Sequence, residues 1–178
     1  MSRNEAPKLF TVEMREDDPA KCTSAKMSKF RLARAIRLNQ IPSGAIILNP
    51  FSPETILNQD KASIQTRGLV VIDCSWVNAA SRFKEKQMNG IQRRLPALLA
   101  GNPTNYAKIG ALSSLEACAA ALFITGFHAY AEKLLSLYKW GPTFLSLNSY
   151  ALNDYEKAKS QNEIEELELD YFQRTKSQ

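Results

Sequence analysis

Histidine is nearly absent from this sequence, which contains a single copy, His128, in an alanine-rich stretch. No cysteine or carboxylate is spaced beside His128 in the way that a zinc site requires. A serine hydrolase would need the same histidine to activate a nucleophile, and the G-x-S-x-G motif is missing. We therefore expect His128 to be a packing residue, and we expect the protein to hold no metal ion.

Glycine-rich phosphate cradles and long apolar runs are missing as well. Neither G-x-x-x-x-G-K-[ST] nor G-x-G-x-x-G occurs, which excludes the usual binding loops for nucleoside triphosphates and dinucleotides. The apolar runs fall well short of the roughly 20 residues that a membrane-spanning helix needs. The N-terminus has no apolar signal segment, and Cys22, Cys74 and Cys118 form no close pair. These absences predict a cytoplasmic protein that does not enter a membrane.

The sequence does contain an uneven distribution of charge. The net charge is +5, although the segment from Asp154 onward holds seven acidic and four basic residues. A positive surface attracts phosphate through counterion release, so nucleic acid is the leading class of partner. A solvated basic surface and an acidic protein partner remain the alternatives. The residues expected to contact RNA are Lys26, Lys29, Arg34, Arg37, Arg82, Lys84, Arg93 and Arg94.

In the first half of the chain, the apolar pattern predicts strands that alternate with helices. We predict strands at residues 9–14 and 69–72. A further strand is predicted to begin at Gly44 and to end at Asn49 and Pro50, because proline cannot donate to a central ladder. A helix with a basic outer face is predicted over residues 26–37, and a short helix over residues 60–66. This rhythm is typical of a parallel sheet.

The second half is rich in alanine and leucine and predicts a helical lobe. Ser113 or Ser114 can cap the first helix, and Gly126 and the pair at residues 141–142 divide the lobe into about three helices. Ile164, Leu167 and Tyr171 are spaced three and four apart, which predicts a last helix that is exposed or swapped.

The strand at residues 69–72 ends in an unusual set of side chains, Asp73, Cys74, Ser75 and Trp76. In α/β proteins, ligands bind where parallel strands end, because the sheet holds those side chains rigidly beside a crevice. A structural alternative is that Asp73 or Ser75 caps a helix that follows from Trp76. The residues themselves leave both interpretations open.

Five motifs, in their order and spacing, resemble one known family. They are DDPAKCT near Asp17, VIDCSW, RRLPALLAGNPTNY, LSSLEA and KWGPTFLSLN, and together they cover residues 9–155. The sequence is similar to the ribosome-biogenesis aminocarboxypropyltransferases, which modify small-subunit ribosomal RNA. This resemblance implies an α/β fold like that of the SPOUT methyltransferases, a knotted, mainly parallel sheet with a helical C-terminal lobe. We accordingly divide the chain into an α/β lobe (1–95), a knot-type loop with a helical lobe (96–155) and an acidic C-terminal helix or tail (156–178).

The resemblance also implies a reaction. Family members transfer the aminocarboxypropyl group of S-adenosylmethionine to a ring nitrogen of a methylated pseudouridine and leave methylthioadenosine. The implied partner is small-subunit ribosomal RNA or a pre-ribosomal particle, and the protein is expected to be a monomer. An S-adenosylmethionine-dependent RNA methyltransferase and a non-catalytic basic RNA-binding assembly factor are the alternatives.

The family's cofactor contacts, transferred by resemblance, fall mostly on backbone groups and apolar walls. Leu48, Pro50 and Ile72 would sandwich the adenine ring. Trp76, followed by small residues, would shield the methyl group of the cofactor. Asp73 is a hypothetical general base for the target nitrogen, with helix capping or contact to the cofactor's amine as rival roles. The full set expected at the cofactor is Thr23, Leu48, Pro50, Ile72, Trp76, Ala79, Leu95, Gly110 and Ser114.

Overall fold

A single parallel sheet organises the computed structural model, which describes residues 6–13, 22–73 and 88–173. Its strands are β1 (Leu9–Glu13), β2 (Arg34–Ala35), β3 (Ile46–Leu48), β4 (Leu69–Asp73) and β5 (Ile91–Arg93). Within the described residues the strand order is β2-β1-β4-β3-β5, and every neighbouring pair is parallel. The prediction of an α/β protein with a parallel sheet is confirmed.

Helices cover the sheet and make up most of the second half of the chain. They are α1 (Thr23–Lys29), α2 (Lys61–Thr66), α3 (Ser114–Ile124), α4 (His128–Leu135), α5 (Gly141–Lys157) and α6 (Gln161–Gln173), with 3-10 turns at Leu38–Gln40 and Asn58–Asp60. The predicted breaks at Gly126 and at residues 141–142 are confirmed. A Cβ atom at Gly141 would lie 1.8 Å from the carbonyl oxygen of Leu135, so only glycine fits between α4 and α5.

Both faces of the sheet are buried, which explains why its central strands are continuous apolar runs. Along β4, Leu69 and Val71 belong to a large core that includes helix α3, whereas Val70 belongs to a smaller cluster on the other face. Successive side chains of a strand point to opposite faces, so this alternation is expected. The large core also contains Phe144 and Ile164, and therefore joins all three segments into which the sequence was divided.

The helix predicted over residues 26–37 is wrong beyond Lys29. Helix α1 ends there, and Arg31 adopts a left-handed backbone conformation with φ of 57° that stops the helix. The next residues form the edge strand β2, whose Ala35 pairs with Thr11 of β1. Lys26, Lys29, Arg34 and Arg37 therefore do not share one helix face.

Two further elements differ from the sequence predictions. The sequence does not predict strand β5, because its residues Ile-Gln-Arg are too polar and too few to stand out, and it lies at the edge of the sheet. Helix α6 is not exposed or swapped but packs back on the same chain, since Ile164 is fully buried and Tyr171 packs against the core. The helix predicted from Trp76 lies outside the described residues.

Candidate functional site

The strand order of this open parallel sheet predicts a ligand crevice between β1 and β4. The chain leaves β1 toward β2 on one side, whereas it leaves β4 toward β5 on the other side. Where neighbouring parallel strands have connections that run in opposite directions, the loops separate and leave room for a ligand at the carboxyl ends. The register places Glu13 beside Asp73 at this edge, so Asp73 lies at the switch point.

Three side chains hold Asp73 in place by hydrogen bonds. Cys22 is the N-cap of α1, Ser24 lies in α1, and Ser114 is the first residue of α3. Its Oδ2 atom accepts hydrogen bonds from Cys22 Sγ at 2.6 Å and Ser24 Oγ at 2.5 Å. Its Oδ1 atom accepts from Ser114 Oγ at 3.2 Å. All three donors are neutral, and no described lysine or arginine forms an ion pair with this carboxylate. Within the described residues, the Asp73 carboxylate is therefore oriented by three hydrogen bonds from neutral donors.

The Cys22 thiol serves as a hydrogen-bond donor in this cluster. Burial and, after it, the hydrogen bond to Asp73 raise the pKa of Cys22 above its ordinary value. A thiol with a raised pKa stays protonated at neutral pH and can keep donating to the carboxylate. We therefore interpret Cys22 as part of the support of Asp73 and not as a nucleophile.

The N-terminus of helix α3 forms the other wall of the site. Ser113 is its N-cap and accepts from the backbone N–H of Glu116, while Ser114 is the first helical residue. Thr23 Oγ1 accepts from the backbone N–H of Leu115 at 3.2 Å, which ties α1 to α3. The structure thus brings together Thr23, Asp73 and Ser114, three residues that the sequence pattern placed at one site.

Gly110 and the loop before it are fixed by a buried carboxylate. Glu116 is fully buried and accepts hydrogen bonds from the backbone N–H groups of Gly101, Asn102 and Ser113, at 2.6, 3.0 and 2.8 Å. It also accepts from the Asn102 side chain at 2.8 Å. Both ends of the loop 102–113 are therefore joined through one side chain. The backbone N–H of Gly110 donates to the carbonyl oxygen of Leu98. A Cβ atom added at Gly110 would meet no other atom within 4 Å, so the space beside this residue is open.

The apolar residues expected around adenine differ in burial and in the face of the sheet on which they lie. Leu48 belongs to the large core and Ile72 packs against the smaller cluster, so their side chains lie on opposite faces of the sheet. The two side chains therefore do not face each other, and the adenine sandwich that the family resemblance implied stays a prediction. Pro50 is exposed just beyond β3, and Leu95 is half-buried just beyond β5. Trp76 and Ala79 lie outside the described residues.

The basic residues fall into two groups. Lys29, Arg34 and Arg37 are exposed to solvent. The other three described residues make internal contacts: Lys26 donates to the carbonyl of Leu137 and lies over the ring of Tyr138, Arg93 pairs with Glu54 and Asp60, and Arg94 pairs with Glu168. Binding to phosphate would require this second group to give up such bonds. Arg82 and Lys84 lie outside the described residues.

Sequence reasoning missed Cys22, Ser24 and Glu116 as parts of the site. The signal for Glu116 was present, since Ser113 and Glu116 form the S-x-x-E pattern of a capping box. No comparable signal marks Ser24, because its contact with Asp73 joins residues that are distant along the chain.

Metal clusters and membrane-spanning helices are both absent from the part of the chain that the structure describes. Within residues 6–13, 22–73 and 88–173, no group of three or more histidine, cysteine, aspartate or glutamate residues is arranged to hold a metal ion. No helix in these same ranges combines the length and the apolar composition that crossing a bilayer requires.

The fold and the site define an α/β protein with a cluster of polar side chains around Asp73 at the carboxyl edge of a parallel sheet. Comparison with known proteins identifies the family. The model of the family described as "Ribosome biogenesis protein, C-terminal" matches residues 46–172. The 16S rRNA aminocarboxypropyltransferase of Methanosarcina mazei is 39% identical over 166 residues, which are 92% of this chain and 94% of that protein. The protein of the same name from Methanocaldococcus jannaschii is 38% identical over 169 residues, or 94% of this chain and 98% of that protein.

A solved structure agrees with the sequence relatives. The SAM-dependent rRNA:acp-transferase Tsr3 from Vulcanisaeta distributa has 38% sequence identity and a TM-score of 0.83, covering 91% of this chain and 96% of that chain. The chain therefore belongs to the ribosome-biogenesis aminocarboxypropyltransferase family, as its five motifs predicted.

Proposed function

We propose that this protein transfers the aminocarboxypropyl group of S-adenosylmethionine to small-subunit ribosomal RNA, with a methylated pseudouridine as the acceptor. Family membership supports the reaction. The observation that carries it is the Asp73 carboxylate at the switch point, which accepts from neutral donors within the described ranges of the chain. Such a carboxylate suits both a cationic sulfonium donor and a nitrogen that must lose its proton.

The residues of the crevice fit S-adenosylmethionine. The donor supplies a carbon that is activated by its bond to a positively charged sulfur. The first turn of α3 presents a partial positive charge that suits the donor's carboxylate, and Ser114 lies at that turn. Asp73 attracts the positive centres, and Gly110 leaves room beside the loop. We propose that Leu48, Pro50 and Leu95, at or just beyond the ends of β3 and β5, provide apolar contacts to the donor. Ile72 and Thr23 contribute through the ends of β4 and α1, and Trp76 and Ala79 remain proposed as the wall around the methyl group.

In the proposed step, the nucleobase nitrogen forms a bond to the side-chain carbon adjacent to sulfur. The carbon–sulfur bond breaks, its electron pair returns to sulfur, and methylthioadenosine leaves. Asp73 Oδ1 or Oδ2 accepts the proton of the nitrogen, while Cys22, Ser24 and Ser114 keep the carboxylate in place. General-base assistance of this type contributes about 10²- to 10⁴-fold to a rate.

We propose that the sheet is knotted in the manner of the SPOUT methyltransferases. Support comes from the loop after β3, which pairs with the continuation of β5: Arg94 donates its N–H to Glu54 O at 2.8 Å, and Ile56 donates to Arg94 O at 2.9 Å. Beyond this point the chain is buried at Leu98 and Ala100. We also propose that the protein acts as a cytoplasmic monomer on the RNA or on a pre-ribosomal particle.

We propose that the exposed basic residues Lys29, Arg34 and Arg37 contact RNA phosphates. Changing both Arg34→Gln and Arg37→Gln should weaken RNA binding and make the slope of log affinity against log salt shallower by about 0.7 for each phosphate that is no longer neutralised. Binding titrations at several salt concentrations measure this slope. A matched pair, Lys133→Gln with Lys159→Gln, removes two exposed positive charges elsewhere, and an equal effect of both pairs would contradict the assignment.

The small-molecule product tests the reaction against its alternatives. Incubation of the protein with S-adenosylmethionine and small-subunit RNA from cells that lack this protein should yield methylthioadenosine. S-adenosylhomocysteine would instead indicate a methyltransferase, and an unchanged donor would indicate an assembly factor without chemistry. Chromatography of the nucleosides separates all three.

A further inference from the structure

The loop that the Glu116 carboxylate clamps carries an exposed aromatic side chain. Tyr106 is 57% exposed and Ile109 is 51% exposed, although both lie on a segment with a fixed backbone. Lys108, between them, is also exposed. The motif RRLPALLAGNPTNY ends at Tyr106, and the proposed function assigns no role to these three side chains.

Hydrogen bonds hold the backbone of this loop in one conformation. Residues 98–100 pair with residues 107–110, through Ala107 N to Ala100 O at 2.7 Å, Ala100 N to Lys108 O at 3.0 Å and Gly110 N to Leu98 O at 2.9 Å. Asn105 donates its backbone N–H to the side chain of Asn102, which is itself bound to Glu116. The tip is therefore connected to the buried carboxylate through Asn102.

The fixed conformation includes a strained residue next to the aromatic ring. Ala107 has a φ of 60°, a left-handed conformation that is unfavourable for a non-glycine residue. The loop returns to α3, where Ser114 binds Asp73 at 3.2 Å. A rigid loop with an exposed aromatic residue thus precedes, along the chain, the helix that supports the proposed reacting centre.

We propose that the loop 102–110, which we call the Tyr106 loop, binds unpaired nucleotides that flank the target base, with Tyr106 stacking on a base and Lys108 contacting phosphate. This inference rests on the proposed function, because it names the part of the surface that receives the RNA. The chemistry fits a single strand: sequence-tolerant binding of unpaired bases uses an aromatic platform together with positive charge. The loop precedes helix α3, whose Ser114 donates to Asp73, so this proposed RNA contact lies on the same stretch of chain as an element of the proposed reacting centre.

The test measures the affinity of single-stranded fragments of small-subunit RNA for Tyr106 variants by fluorescence anisotropy. Tyr106→Ala should weaken binding about 5- to 150-fold, the range for removal of one base–aromatic stack, and Tyr106→Phe should retain affinity close to that of the unchanged protein. Tyr150→Ala, which removes another exposed tyrosine on α5, should have no effect. With a fully base-paired form of the same fragment, Tyr106→Ala should not weaken binding.

Several outcomes would overturn the inference. Unchanged affinity of Tyr106→Ala for the single strand, an equal decrease with Tyr150→Ala, or an equal decrease on the duplex would each contradict stacking on an unpaired base. A decrease of S-adenosylmethionine affinity in Tyr106→Ala, measured by calorimetry, would make the ring part of the donor site instead. Failure of the proposed reaction would give a different result: the unchanged protein would bind the fragments through Tyr106 but would yield no methylthioadenosine.

Discussion

Asp73→Asn should slow aminocarboxypropyl transfer by about 10²- to 10⁴-fold while S-adenosylmethionine binding falls much less. The amide keeps the size of the carboxylate, and its oxygen can still accept from Cys22 and Ser24. Its NH2 group can donate to the Ser114 hydroxyl, which accepts as readily as it donates. The variant therefore keeps its support but cannot take a proton. Single-turnover rates at saturating donor, together with calorimetric affinities, measure the two effects.

A matched control for this variant is Asp154→Asn. Asp154 Oδ2 also accepts a short hydroxyl hydrogen bond, from Tyr171 at 2.5 Å, but between α5 and α6 rather than at the crevice. Its transfer rate should equal that of the unchanged protein. If Asp73→Asn strongly weakens donor binding but turns over normally at saturating donor, Asp73 is a binding residue; if it changes neither quantity, its role is structural.

Glu116→Gln should lower the free energy of unfolding by about 2–5 kcal/mol. The substitution preserves shape but turns one acceptor oxygen into an NH2 group that faces the N–H of Ser113 and the side-chain amide of Asn102. Each buried donor that is left without its acceptor costs about 1–3 kcal/mol. Chemical denaturation, read from the midpoint at constant slope, gives the change.

Glu163→Gln provides the control, because Glu163 forms a similar hydrogen bond at the start of α6. It accepts from the backbone N–H of Lys159 at 2.8 Å, and its own N–H donates to Ser160, but the residue is exposed. Water can replace the missing acceptor there, so the change should stay within about 0.5 kcal/mol. If Glu116→Gln is equally mild, the buried carboxylate does not hold the Tyr106 loop.

The predictable parts of the fold are those with a local signal. β4 is evident because an apolar run ends in an acid, and the start of α3 because serine and glutamate stand at capping positions. β2 and β5 lack such a signal, since each is short, polar and stabilised by pairing with a strand that lies elsewhere in the sequence. The order of the strands likewise depends on non-local pairing, for which the family resemblance is the only guide in the sequence.

The candidate site also contains residues that the sequence predicts and residues that only the fold reveals. Thr23, Asp73 and Ser114 are predictable because the family motifs contain them, and the structure adds that hydrogen bonds join their elements. The burial of Glu116 is not predictable, because glutamate is ordinarily exposed and only the fold supplies its four donors. The internal ion pairs of Arg93 and Arg94 are equally hidden, since their partners lie on a distant loop and on α6.

The most direct test of the proposed reaction follows the label of the donor. S-adenosylmethionine labelled in its methyl carbon and, in a parallel reaction, in its carboxyl carbon is incubated with small-subunit RNA from cells that lack this protein. The proposal predicts that the carboxyl label enters the RNA and that the methyl label remains in methylthioadenosine. Methyl label in the RNA, without carboxyl label, would contradict the assigned transfer.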